Sequence, residues 1–126
     1  MIGKKTALVV LLAGAAVAAA HAQVPRPAAP KVDMQTLDYR LEPRRIAENT
    51  WVIEGAVDDF SRANGCNIIN TAFIATKEGV LVINTGPSRL YGEQQRRAIE
   101  KVTQQPVLRV LNLNLHPDYF LGNAAW

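Results

Sequence analysis

The chain has 126 residues, of which 48% are hydrophobic, 20% charged and 6% aromatic. This is the composition of one small globular domain, and it excludes collagen-like, coiled-coil and wholly disordered classes. Fourteen basic against eleven acidic side chains give a formal charge of +3. However, Lys4 and Lys5 lie in a segment that reads as removable, and Arg44-Arg45 with the distant Arg96-Arg97 is too sparse a basic surface for a nucleic-acid partner.

Residues 1–22 begin with Lys4-Lys5, run apolar through Leu11-Leu12 into an alanine-rich stretch, and close with Ala20-His21-Ala22 before Gln23. This is the pattern of a secretory signal peptide, with small side chains at the two positions that the peptidase reads. The apolar run over 6–20 has 15 residues, short of the ~20 of a spanning helix, so the expectation is export to the periplasm or medium without a stable membrane anchor. Cleavage leaves 104 residues. Cys66 then has no intramolecular disulfide partner and is expected as a small buried or partly exposed side chain. Residues 23–36 read as a proline-rich linker, since 23–30 hold three of the seven prolines, which deny the backbone a hydrogen-bond ladder.

The domain occupies 37–126. Residues 37–41 alternate apolar and polar and predict a strand; a second is predicted at 51–54 after the turn-forming Glu48-Asn49-Thr50. A polar loop follows over 58–65. Its adjacent Asp58 and Asp59 point apart in extended chain and do not form an acid/base pair. The β-branched runs 67–76 and 80–84, joined by Lys77-Glu78-Gly79, predict a hairpin in which glycine supplies a positive φ. Trp51 and Phe73 are expected in the core. A helix is predicted over 91–102, with Tyr91, Ala98, Ile99 and Val102 on one side, ended by Gln104-Gln105-Pro106. Residues 107–115 predict a strand with Leu111, Leu113 and Leu115 facing one way and Asn112, Asn114 and His116 the other. The order β-β-β-β-α-β suggests an α/β layer, with the hairpin and last strand apolar on both faces.

Residues 112–123 carry the candidate chemistry. Polar side chains at Asn112, Asn114, His116, Asp118 and Tyr119 stand at the mouth of the predicted strand, where several can aim at one point. Taken alone, His116-Pro117-Asp118 also reads as an ordinary polar loop in which Asp118 caps the next helix.

The stretch resembles the metal-binding signature His-x-His-x-Asp-His of the metallo-β-lactamase-fold hydrolases. Residues 79–86 (GVLVINTG) resemble the strand of the same family that ends in Asp-Thr-Gly. The separation of the two motifs, the Pro87-Ser88 pair and the ending Leu121-Gly122-Asn123-Ala124-Ala125-Trp126 are most similar to the secreted quinoprotein relay system zinc metallohydrolases. The resemblance implies an α/β (α+β) fold, the N-terminal half of a metallo-β-lactamase-like αββα sandwich. It further implies zinc ions that activate a water for attack on a carbonyl or related centre, with His116 on the first metal and Asp118 as the catalytic carboxylate on the second. Asn114 and Tyr119 stand where the signature has histidines, and Asn84 stands where the family has the aspartate that orients the metal loop from behind. An amide oxygen is uncharged and a phenol is protonated at neutral pH, so both are poor zinc donors. The expectation is a truncated or degenerate metallohydrolase-like protein that holds zinc weakly and is impaired in catalysis. The alternatives are a weak metal-dependent hydrolase completed by another chain, and a non-catalytic periplasmic binding module using the same cleft. Burial predicts self-association or a complementary C-terminal half, because one helix covers only one face of the sheet.

Overall fold

The computed structural model describes residues 37–126; the predicted leader at 1–22 and linker at 23–36 lie outside the described residues. Five strands form one sheet in the order β1-β2-β3-β4-β5. They are β1 Arg44–Ala47, β2 Thr50–Ile53, β3 Thr71–Ala75, β4 Val80–Ile83 and β5 Val107–Leu111. The first four pair antiparallel, whereas β5 returns parallel to β4 after the helix α1, Arg89–Glu100. A short helix α2, Pro117–Phe120, and a 3-10 turn, Leu121–Ala125, follow. No described helix is long and apolar enough to cross a membrane.

The predicted hairpin forms in register, with Ala75 opposite Val80 and Phe73 opposite Val82. Gly79 closes it at φ +151°, and its carbonyl accepts from the Thr76 amide at 2.9 Å and the Thr76 hydroxyl at 3.0 Å. Strand alternation then sorts the side chains: Thr71, Phe73, Val80 and Val82 are buried, whereas Ala72, Ile74, Leu81 and Ile83 are half-buried on the opposite face. Phe73, Val80 and Val82 pack with Ile99 of α1, flanked by Trp51, Val110 and Trp126. Trp51 and Phe73, directly opposite across β2 and β3, stack at 5.1 Å and 4°; Phe73 is fully buried in the core, as its sequence context predicts, whereas Trp51 is half-buried and packs against that core.

The helix starts two residues earlier than its apolar stripe suggests, because the Ser88 hydroxyl accepts from the Tyr91 amide at 3.0 Å and fixes the N-terminus. Tyr91, Ala98 and Ile99 are buried, but Val102 lies beyond the helix and is exposed. Burial pushes the Tyr91 phenol far above its ordinary pKa, against the opposing effect of its hydrogen bond to Thr71, so it stays neutral. Tyr91→Phe should therefore cost only about 1 kcal/mol in urea unfolding, the worth of one neutral hydrogen bond with the ring kept.

Residues 37–41 are not a strand. Leu37 and Arg40 take φ of +54° and +50°, which breaks the alternation, and this turned backbone inserts Tyr39 against Tyr91 at 5.1 Å and 72°. The Tyr39 amide donates to Gln94 Oε1 at 2.8 Å, and its hydroxyl donates to the Gly65 carbonyl at 3.1 Å. The first strand is β1 instead. All four of its residues are exposed, so it carries no hydrophobic period to read, and its arginines suit an edge strand. Arg44 pairs with Glu54, and Arg45 lies over the Trp51 ring.

Candidate functional site

Because β4 and β5 run parallel, the segments leaving their C-terminal ends emerge side by side. The residue at the end of β4 is Asn84, buried and at φ +59°, a left-handed conformation that asparagine tolerates better than most residues. All four of its hydrogen-bonding groups are used. The backbone amide donates to the Leu111 carbonyl at 2.8 Å, and the carbonyl accepts from Gln95 Nε2 at 3.0 Å. The side-chain Oδ1 accepts from the Leu113 amide at 2.9 Å, and Nδ2 donates to the Asn70 carbonyl at 3.3 Å.

These bonds correct the predicted strand over 107–115, which stops at Leu111. The Leu113 amide is taken by Asn84, and the His116 amide donates to Asn114 Oδ1 at 2.9 Å. Backbone donors committed to side chains cannot build a ladder. Leu113 and Leu115 are consequently 64% and 90% exposed rather than lined along a buried face. The polar side chains of the alternation do not converge on one point either. Asn112 donates to Asn123 Oδ1 at 3.1 Å, and Asn114 closes its own turn.

His116 is the N-terminal cap residue of α2 but makes no side-chain cap bond, and the Asp118 carboxylate makes none either. His116 is exposed. Asp118 is buried, and its Oδ1 has no hydrogen-bond partner among the described residues. The Tyr119 ring meets His116 edge-on at 6.5 Å, while the Tyr119 carbonyl accepts from the Thr85 amide at 2.8 Å. Thr85 also donates its hydroxyl to Asn123 Oδ1 at 2.8 Å. A groove of about 520 Å³ runs beside this loop, lined by Val57, Asn70, Asn84, Leu113 and Tyr119 among others.

As a donor set for catalytic zinc these residues do not fit. Such a site takes three protein ligands and a water, whereas the loop offers His116 and Asp118, with Asn114 Oδ1 committed to a backbone amide. Among the described residues no three His, Cys, Asp or Glu side chains gather into a group that could hold a metal ion. Cys66 is exposed, at φ +61° in the 61–66 turn, so of the two placements expected for it, buried or partly exposed, the buried one does not hold. Asp58 and Asp59 are exposed, and the Asp58 carboxylate accepts from the Asp59 amide at 2.8 Å.

Gln95 is the main residue that the sequence reading passes over. It is fully buried and holds the Asn84 carbonyl. Its position, four residues after Tyr91 and four before Ile99, puts a polar side chain on the apolar stripe, which is a readable signal. Asn70 and Asn123 give no comparable signal, because their partners lie 11 to 38 residues away.

The sequence matches no family profile and no curated protein. Solved structures do match. A metallo-β-lactamase from Pontibacter korlensis superposes with a TM-score of 0.56 at 22% identity, covering 68% of this chain and 39% of that one. TMB-1 superposes with a TM-score of 0.51 at 18% identity, covering 65% of this chain and 36% of that one. The chain thus spans less than two fifths of the length of either neighbour. The likeness is one of fold, and the described residues form part of a metallo-β-lactamase-like fold, carried as a five-stranded sheet with one long helix.

Proposed function

We propose that this chain is an exported metallohydrolase-like protein with a degenerate metal loop, related to the secreted relay-system branch of the metallo-β-lactamase fold and impaired in catalysis. The observation that carries the reading is the commitment of Asn114 Oδ1 to the His116 amide, which leaves His116 and Asp118 as the only standard donors of the loop. After dialysis the purified protein should hold far less than one equivalent of zinc by elemental analysis. The double change Asn114→His with Tyr119→His should raise zinc affinity only partly, since it adds donors to the loop but no ligands from elsewhere. Stoichiometric zinc in the unmodified protein would overturn the reading. Export is checked by intact mass: protein recovered from the exported fraction should begin at Gln23.

A second reading, completion by another chain, is favoured by the sheet face opposite α1. Ala72, Ile74, Leu81 and Ile83 on that face are half-buried, and Leu111 is 48% exposed. A complementary sheet would finish covering them. Sedimentation velocity should show concentration-dependent assembly, and a strictly monomeric boundary at every concentration would argue against it.

A further inference from the structure

We propose that residues 37–41 act as a latch on the groove: with Tyr39 docked, the loop over 54–70 is held as a fixed wall, and with Tyr39 released that loop opens. The groove of about 520 Å³ takes Gly55, Val57, Ile68 and Asn70 from this loop, and Leu113 and Tyr119 from the segment after β5. At its base the loop is closed by the Ala56 amide, which donates to the Asn67 carbonyl at 2.8 Å, and by the Gly55 amide, which donates to Asn70 Oδ1 at 3.1 Å. Its far end is held differently. Ser61, Asn64 and Cys66 bond among themselves and to Asp59, and residues 57–60 are all exposed. The buried Asn67 Oδ1 has no hydrogen-bond partner among the described residues. A segment with few buried apolar contacts and an unpaired buried acceptor opens at low cost.

Tyr39 supplies the tie from this far end to α1. Its hydroxyl donates to the Gly65 carbonyl at 3.1 Å and, with its one proton so used, accepts from the Ser88 hydroxyl at 3.1 Å. The strap itself is clamped at two points by Gln94, whose Oε1 accepts from the Tyr39 amide and whose Nε2 donates to the Leu37 carbonyl, each at 2.8 Å. Left-handed backbone at Leu37 and Arg40 brackets Tyr39, a conformation that costs free energy and is offset by seating the ring against Tyr91. Strain in the strap and an orphan acceptor in the loop both work against the closed state, which is the condition for a latch rather than a fixed tie.

The test is amide hydrogen exchange by NMR on the intact chain. Tyr39→Phe keeps the ring and deletes the hydroxyl. Exchange at the Ala56, Cys66 and Asn67 amides should rise about fivefold, the worth of one neutral hydrogen bond, while the amides of β3 and β4 are unchanged. Gln94→Ala removes both clamp bonds from the strap and leaves every bond of the loop itself in place. It should speed the same three amides by at least a similar factor, because the loop feels the strap through Tyr39; a local contact at Gly65 without a latch would leave them unmoved. Unchanged exchange at these amides in either variant, or equal acceleration in β4, would overturn the proposal.

Discussion

Phe73→Ala is expected to lower the unfolding free energy by about 3–5 kcal/mol, a large share of the ~5–15 kcal/mol of an ordinary domain. Phe73 has no exposed surface, stacks on Trp51 at 5.1 Å and sits in the cluster with Val80, Val82 and Ile99. Truncation removes the ring contacts on all sides at once. The site also collapses poorly, because β2, β3 and β4 are tied in register around it and cannot close independently. Urea unfolding measures the loss. Phe73→Leu, which refills part of the space, should recover more than half of it; equal destabilisation by both changes would mean that ring stacking rather than volume governs the site.

Gly122→Ala should be nearly as damaging, about 3 kcal/mol, for a different reason. A β-carbon there would stand 1.9 Å from the Thr85 carbonyl oxygen and 2.8 Å from its carbon. Both are backbone atoms at the end of β4, so no rotamer change relieves the clash. The segment cannot retreat without loss, since the Gly122 amide donates to the Gly86 carbonyl at 3.1 Å and the Thr85 amide to Tyr119. The 3-10 turn also packs on α1, where a β-carbon at Gly92 would meet the Gly122 carbonyl oxygen at 2.5 Å. Ala124→Ser, two residues on and exposed, should be close to neutral. A stable Gly122→Ala variant with unchanged urea midpoint would show that the turn is free to move off β4.

The antiparallel hairpin, the helix and the existence of a strand after it were legible in the sequence because each rests on a local period or turn, whereas the parallel pairing of β5 with β4 appeared only in the structure. Phe73 to Val82 alternates around Lys77-Glu78-Gly79, and α1 carries Tyr91, Ala98 and Ile99 on one stripe. The resemblance between residues 79–123 and a metal-binding family likewise pointed to the fold that the solved structures share. Two alternating segments misled. Residues 37–41 and 111–115 have strand-like period, yet Leu37 and Arg40 turn left-handed to bury Tyr39, and Asn84 takes the Leu113 amide out of any ladder. The arrangement of the candidate loop was decided only in the tertiary structure. Its bonds join Asn84 to Leu113, Thr85 to Asn123 and Asn84 to Asn70 over 14 to 38 residues, and each depends on where the sheet brings two backbones together. A period records which face a side chain takes along its own strand; it carries no information about which distant amide or carbonyl will stand within 3 Å of it once the strands are paired.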